Sequence, residues 1–196
     1  MKLLLGTKNK GKIEEVKRIL GDLPNLSFLT YEEIPFSDVI EDGKTYAENS
    51  FKKASSVSKE KGLPVLAEDS GLEVSALDGR PGVKSSRYAG ENASDKENNS
   101  KLLEELREAK DRSARFVSVA TLFISGDNVL QEEGVMDGKI VNKPRGSSGF
   151  GYDPLFAPDG YEGKTVAQLG EEVKNEISHR KKALEKIREK LKKEIK

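Results

Sequence analysis

The spacing of hydrophobic and polar positions divides the first part of the chain into short elements. An apolar run predicts a buried strand over residues 2–6, and the polar turn after it leads into apolar positions at helical spacing. A second strand is predicted over residues 26–29, followed by an irregular acidic segment at residues 37–43. The chain is therefore expected to open as strand, turn and helix. The helical positions are Ile13, Val16, Ile19 and Leu20.

Two capping patterns mark the starts of further helices. Thr45 and Glu48 have capping-box spacing and predict a helix that continues to about Lys61. Ser94 and Glu97 repeat the pattern before a leucine-rich stretch. Each pattern predicts that a hydroxyl group and a carboxylate satisfy backbone groups at the helix start.

Longer apolar runs predict the central sheet. Residues 115–125 form a nearly continuous β-branched run, and residues 128–140 are expected to be its antiparallel partner across a Gly-Asp-Asn turn. Upstream, residues 65–67 and 72–76 are predicted as two strands that flank a turn with the sequence EDSG. Strands and helices thus alternate along the chain, a pattern that is compatible with an α/β fold.

The C-terminal segment predicts an amphipathic helix. Its lysine excess is interleaved with Glu185, Glu189 and Glu194, which favours a charged face in solvent over a nucleic-acid-binding face. The opposite face carries an apolar stripe that is expected to pack on the body of the protein. The stripe consists of Leu184, Ile187, Leu191 and Ile195.

Length, charge and composition then restrict the functions to consider. A chain of 196 residues is expected to form a single domain over residues 1–196, with no independent boundary inside it. Lys+Arg and Asp+Glu both number 34, so the broad basic field of many nucleic-acid or membrane binders is absent. Zero cysteines and one histidine exclude thiolate and histidine-rich metal sites. Because no apolar stretch matches a signal peptide or a membrane span, we expect a cytoplasmic protein without nucleic-acid or membrane partners.

The sequence TKNKGK at residues 7–12 places a hydroxyl, an amide and three lysines at a strand-to-helix turn. Free backbone N–H groups and the helix dipole favour an anion there, so the turn is a candidate phosphate site, although an ordinary capped helix start with surface lysines fits equally well. The common nucleotide fingerprints are absent. The Walker pattern ending at Gly163-Lys164-Thr165 fails at Pro158, and the dinucleotide pattern beginning at Gly149 fails at Pro154.

Two acidic pairs are candidates for a metal site. Carboxylates without histidine or cysteine suit Mg²⁺, which binds few protein ligands and keeps water and phosphate oxygens. Glu41 and Asp42 lie in the irregular segment, where solvated acids are common. Glu68 and Asp69 follow an apolar strand, at the edge of the sheet where ligands bind in α/β proteins.

The glycine-rich segment GSSGFGYDP at residues 146–154 contains Phe150 between two glycines. Glycines allow the backbone to approach a ligand, and an aromatic ring can stack on a purine, so Phe150 is a candidate platform for a base. The alternative interpretation is that Phe150 and Tyr152 are core residues. The segment alone does not decide between them.

Five motifs together resemble one family, the inosine triphosphatase-like, non-standard purine nucleoside triphosphate pyrophosphatases, which include dITP/XTP pyrophosphatases. The resemblance implies an α/β fold with an elongated mixed sheet, flanking helices and two lobes around a central cleft. It implies Mg²⁺-dependent hydrolysis of ITP, dITP and XTP to monophosphate and pyrophosphate, commonly by a homodimer. The motifs are TKNKGKIEE, EDGKTYAENSFKKA, EDSGLEVSALDGRPGVKSSRYAG, GSSGFGYDPLF and KNEISHRKKAL.

The resemblance also assigns roles to individual residues. Asp69 would be the general base and a metal ligand, with Glu41 as the second metal ligand. Ser70 would contact the substrate, the N-terminal turn would bind the triphosphate, and the remaining residues would form the base and sugar pocket. The residues of the N-terminal turn are Thr7, Lys8, Asn9, Lys10, Gly11 and Lys12. Those of the base and sugar pocket are Phe150, Gly151, Tyr152, Asp153, Lys174, His179 and Arg180.

The turn at residues 177–180 is a candidate for selecting the base, and Glu68 departs from the family pattern. Inosine and xanthosine carry a keto oxygen at C6, so a backbone N–H donor at the turn of residues 177–180, with Ser178 as N-cap, would accept them and reject adenosine. The family usually has Asp where this chain has Glu68, whose extra methylene group would alter a Mg²⁺ shell. Glu68 is therefore not assigned to catalysis. A nucleotide-binding module that has lost turnover remains the alternative function.

Overall fold

A computed structural model of the protein describes residues 1–194 and shows a mixed α/β fold. The strands are β1 (Lys2–Leu5), β2 (Ser27–Leu29), β3 (Val65–Val74), β4 (Ser113–Ser125), β5 (Asn128–Ile140) and β6 (Phe156–Pro158). The helices are α1 (Lys10–Leu20), α2 (Tyr46–Lys61), α3 (Asp95–Glu105), α4 (Val166–Ile177) and α5 (His179–Glu194). Two short 3-10 helices cover Ser75–Leu77 and Gly82–Arg87.

The strands form one six-stranded sheet in the order β2-β1-β3-β4-β5-β6. β1 is parallel to both β2 and β3, whereas β5 is antiparallel to β6. β4 and β5 are neighbours joined by two residues, a connection that only antiparallel strands can have. The predicted mixed sheet with flanking helices is confirmed.

The predicted turn at EDSG is wrong, because β3 runs without a break from Val65 to Val74. Acidic and small residues suggested a turn, but Glu68 and Asp69 are buried in the strand, where other side chains satisfy their charges. Successive residues of a strand point to opposite faces of the sheet. The two adjacent carboxylates therefore enter different surroundings.

The predicted helix starts are largely confirmed. Ser94 and Glu97 form a complete capping box at α3. At α2, Thr45 Oγ1 accepts from the Glu48 amide at 3.1 Å, but the Glu48 carboxylate accepts from the Lys44 amide instead of the Thr45 amide.

Helix α4 was missed in the sequence. Its first residue follows Thr165, which forms a capping box with Gln168. Gly170 adopts a non-helical conformation inside the helix, with φ of 80°, and this interruption hides the helical periodicity. The Lys164-Thr165 pair that resembles a Walker ending is thus part of an ordinary helix start.

The chain divides into two compact units, each with its own core. Unit 1 comprises Met1–Asp69, Ser118–Gly134 and the chain from His179 onward, and unit 2 comprises Ser70–Val117 and Val135–Ser178. Leu184, Ile187 and Leu191 of the C-terminal helix are buried in unit 1 as predicted, whereas Ile195 lies outside the described residues. Among residues 1–194, no helix has both the length and the apolar character needed to cross a membrane.

Candidate active site

Glu68 lies at the centre of a buried charge cluster in unit 1. Arg180, the second residue of α5, donates through Nη2 to Glu68 Oε1 at 2.8 Å and through Nε to Glu68 Oε2. Its Nη1 donates to Glu15 of α1. Lys12 Nζ, one turn from Glu15, lies 3.4 Å from Glu68 Oε1. Two carboxylates and two cations therefore share this cluster.

The cluster keeps Glu68 ionised although this residue is buried. Burial opposes ionisation of Glu68, but the charges of Arg180 and Lys12 outweigh it and hold the pKa of this carboxyl well below its usual value. Burial also lowers the pKa of the Lys12 ammonium, against the attraction of Glu68. Because both Glu68 oxygens accept from Arg180, this carboxylate is already engaged within the cluster.

Asp69 points to the other face of β3 and meets α2. Asn49, which is completely buried, donates through Nδ2 to Asp69 Oδ2 at 3.0 Å. Its Oδ1 accepts from the Gly43 amide at 2.8 Å, so Asn49 joins Asp69 to the acidic segment before α2. Burial raises the pKa of the Asp69 carboxyl, and the Asn49 hydrogen bond and the charge of Lys53 counter part of this rise. A carboxyl with a raised pKa is suited to accept a proton.

Glu41 and Lys53 lie beside Asp69. Lys53 Nζ is 2.9 Å from Glu41 Oε2 and donates to the backbone oxygen of Glu68 at 3.2 Å. The negative charge of Glu41 adds to the rise in the Asp69 pKa, so the two carboxylates interact. Within residues 1–194 there is no group of three or more His, Cys, Asp or Glu side chains that could hold a metal. A pair of hard oxygen ligands fits Mg²⁺, whose other positions are filled by water and phosphate oxygens.

The N-terminal turn forms the start of α1 but does not gather its lysines. Asn9 is the N-cap, and its Oδ1 accepts from the Lys12 amide at 3.0 Å. Thr7 Oγ1 accepts from the Asn9 amide at 3.2 Å. Lys8 Nζ contacts Asp38 at 2.7 Å and lies 4.4 Å from the centroid of the Tyr31 ring. Lys10 is exposed and Gly11 lies within α1, so Lys12 is the lysine of the turn that reaches the charge cluster.

The glycine-rich segment, here called the aromatic loop (residues 146–154), lies in unit 2. Gly149 and Gly151 flank Phe150 with φ of 81° and 62°, conformations that favour glycine. The Phe150 amide donates to Asp153 Oδ2 at 3.0 Å, and the same oxygen accepts from Lys174 at 2.7 Å. Lys174 Nζ also lies 4.2 Å from the centroid of the half-buried Phe150 ring, a cation–π contact.

The remaining predicted site residues, Tyr152, Ser70 and His179, differ in exposure. Tyr152 is a core residue of unit 2, and its hydroxyl donates to the Ser85 carbonyl at 2.9 Å. Ser70 is half-buried and follows Asp69 on β3, and the His179 side chain is buried at the start of α5. The Ser178 amide donates to the Lys174 carbonyl at 3.0 Å, so this N–H group of the turn at residues 177–180 is already used within α4.

Three residues of these clusters were missed in the sequence. Asn49 and Lys53 are four residues apart on α2, and Glu15 is three residues after Lys12 on α1. Such spacings place side chains on one face of a helix, so the helix predicted from Thr45 already carried the signal. What the sequence could not show is that β3 lies against that face.

A family model described as the Ham1 family matches residues 3–190. The chain belongs to the Ham1 family. A relative in Geobacter sulfurreducens named dITP/XTP pyrophosphatase is 49% identical over 93% of this chain and 92% of the relative. One of the same name in Clostridium perfringens is 46% identical over 97% of both chains.

Solved structures of Ham1 proteins share the fold. A HAM1 protein from Coxiella burnetii has a TM-score of 0.91 and 41% identity, covering 98% of this chain and 99% of that one. The structure described as a nucleoside-triphosphatase and dITP/XTP pyrophosphatase from Mycobacterium abscessus has a TM-score of 0.78 and 35% identity, covering 95% and 97%. The resemblance to inosine triphosphatase-like pyrophosphatases is thus confirmed over nearly the whole chain.

Proposed function

We propose that this chain hydrolyses ITP, dITP and XTP to the nucleoside monophosphate and pyrophosphate, and so removes deaminated purines from the nucleotide pool. The observation that carries the proposal is the buried Asp69, whose pKa is raised and whose Oδ2 is fixed by Asn49, next to Glu41 and Lys53. The names of the Ham1 relatives give the substrate class.

Asp69 and Glu41 would hold the Mg²⁺ ion. When bound, the ion would withdraw negative charge from the phosphate oxygens and stabilise the charge that develops there. Lys12 and Lys53 would supply positive charge for the phosphates. Lys12 forms an ion pair with Glu68, and Lys53 forms one with Glu41. Lys8 and Lys10 would need to leave their present surroundings to reach a triphosphate.

Asp69 would orient the attacking water and accept its proton. Its Oδ2 is used by Asn49, which fixes the rotation of the carboxylate. A carboxyl with a raised pKa is a stronger base than an ordinary aspartate, and positioned general bases contribute about 10²–10⁴-fold to a rate.

The base would stack on Phe150 in the aromatic loop, held by Asp153 and Lys174. The keto oxygen at C6 would accept a hydrogen bond from backbone N–H donors of the turn at residues 177–180. Adenosine presents an amino group at C6, which meets these donors with another donor. A site built for hydrogen bonding rejects such an analogue strongly, by about 10⁴-fold in well-studied cases.

The direct test is pyrophosphate release from ITP, dITP, XTP, GTP and ATP, with Mg²⁺ and with EDTA. We expect release from the first three at least about 100-fold faster than from ATP, because donors aimed at a keto oxygen reject an amino group. EDTA should abolish release. Equal rates across the panel would leave the chemistry intact but remove the base-recognition argument.

No release from any triphosphate would overturn the enzymatic proposal and favour the nucleotide-binding module. Binding of IMP and ITP, measured by calorimetry, then separates that module from a misfolded preparation. We also propose that the active form is a homodimer, as the family resemblance implies. Light scattering after size exclusion tests this, and a monomer with full activity would contradict it.

A further inference from the structure

One residue of the aromatic loop, Gly151, is held by helix α3 through both of its backbone polar groups. The Gly151 amide donates to Asp95 Oδ2 at 2.6 Å. The Gly151 carbonyl accepts from Asn99 Nδ2 at 3.0 Å. Asp95 and Asn99 are four residues apart, so both side chains lie on one face of α3. We call this pair the α3 clamp.

The loop needs such a restraint at this point. Gly149 and Gly151 have positive φ, and glycine has a wider choice of backbone conformations than any other residue. Within the loop, Asp153 holds the Phe150 amide, which fixes the peptide before Phe150. The α3 clamp fixes the Gly151 amide, which belongs to the peptide after Phe150, and also the Gly151 carbonyl. Hydrogen bonds on both sides of Phe150 therefore set the direction in which its side chain leaves the backbone.

The two bonds differ in strength and exposure. Asp95 is exposed, but its acceptor is a carboxylate, and charge-assisted hydrogen bonds are about twice as strong as neutral ones. Asn99 is buried, with 8% of its surface exposed, so its loss would leave the Gly151 carbonyl without this donor in a partly buried place.

We propose that Asp95 and Asn99 are positioning residues that hold the Phe150 ring in place as the stacking surface for the purine base. The proposal rests on the proposed function, since it assumes that the aromatic loop binds the base. A stacking surface contributes equally to substrate and transition-state binding. Its displacement should therefore raise KM and leave kcat nearly unchanged.

The chain supplies a matched control on the same helix. Asn98 is also buried, and it clamps a different segment, accepting from the Ala89 amide at 2.8 Å and donating to the Ser86 carbonyl at 3.1 Å. Asn98→Ala and Asn99→Ala thus remove the same groups from neighbouring positions. Asn98 makes two such hydrogen bonds and Asn99 makes one, so Asn98→Ala should cost at least as much stability as Asn99→Ala. A rise in KM confined to Asn99→Ala therefore cannot result from lost stability alone.

The experiment measures kcat and KM for ITP, IMP affinity without metal, and exchange of the Gly151 amide by NMR. We expect Asn99→Ala and Asp95→Ala to raise KM and weaken IMP binding about fivefold to tenfold, with kcat within about twofold of wild type. Gly151 exchange should accelerate in Asp95→Ala. Asp95→Asn, which keeps an acceptor, should restore KM, and Asn98→Ala should leave KM unchanged.

The outcomes distinguish this proposal from the proposed function. If wild type releases no pyrophosphate, the function fails, whereas the exchange data still report whether the clamp exists. If wild type is active but Asn99→Ala behaves like Asn98→Ala in KM and IMP binding, the positioning role is overturned. A fall in kcat at unchanged KM would also overturn it, because that result places the residues in the chemical step.

Discussion

Replacement of Asp69 by asparagine is expected to lower kcat for ITP by about a thousandfold, in the range found for loss of a general base. The amide oxygen of asparagine can still accept from Asn49, so the side chain should keep its place. What is lost is the ability to accept a proton and the charge that would hold the metal. Pyrophosphate release at saturating ITP measures this effect directly.

The same variant should be at least as stable as the wild-type protein at neutral pH in the absence of metal. Burial raises the pKa of the Asp69 carboxyl above its unfolded value, so its favourable contribution is present at low pH and is lost as the pH rises through the folded pKa. At pH 7 the ionised group is therefore a cost that asparagine removes. Thermal unfolding with EDTA tests the sign.

Two results would contradict this account of Asp69. A near-normal rate would remove Asp69 from its role as general base. A clear fall in Tm would mean that lost activity reflects lost folding. Asp111→Asn is the matched control, because this exposed carboxylate accepts from the Ser113 amide at 2.9 Å and lies outside the site. It should change neither rate nor Tm.

The sequence predicted the helices and strands better than it predicted the contacts between distant residues. Apolar periodicity located the sheet and the first helices, because each element buries one face that is visible as a repeat. It failed at β3, where local composition suggested a turn. The partner that stabilises Glu68 in the strand is Arg180, 112 positions away, and no local pattern carries that information.

For the candidate site, the sequence supplied the chemical groups but not their environments. Asp69 and Glu41 were named from carboxylate chemistry and family resemblance, and the structure places them in interaction. Lys8 was grouped with Lys12 by spacing, yet it turns to Asp38 and Tyr31. Side chains on a short polar turn have several directions open to them, so their grouping depends on neighbours that the turn does not specify.

Glu68 is the second position where a single substitution should have a large effect, here on stability. Arg180 is almost completely buried, and Glu68→Gln leaves the cluster with two cations and only the Glu15 carboxylate. Removing one partner of a buried ion pair typically costs about 3–5 kcal/mol. We expect a loss of this size in the free energy of unfolding at pH 7, measured by urea denaturation.

The loss should depend on pH in a defined direction. Arg180 and Lys12 hold the folded pKa of Glu68 well below the ordinary value of 4.5. The stabilisation is therefore fully present above that ordinary value and is lost as the pH falls through the folded pKa. The difference between wild type and Glu68→Gln should accordingly be constant near neutrality and shrink in acid. A constant difference down to the acid transition would show that charge is not its cause.

A second substitution separates charge imbalance from loss of a catalytic group. Glu68→Gln with Arg180→Met removes one charge of each sign and leaves Glu15 with Lys12, three residues apart on α1. We expect the double variant to unfold at a higher urea concentration than Glu68→Gln alone, because buried pairs can be replaced by apolar groups at little cost. If Glu68→Gln lowers kcat for ITP and the double variant restores it, Glu68 acts by balancing Arg180. If stability recovers while kcat stays low, Glu68 or Arg180 takes part in substrate or metal binding, and the assignment of Glu68 to the charge cluster alone is wrong.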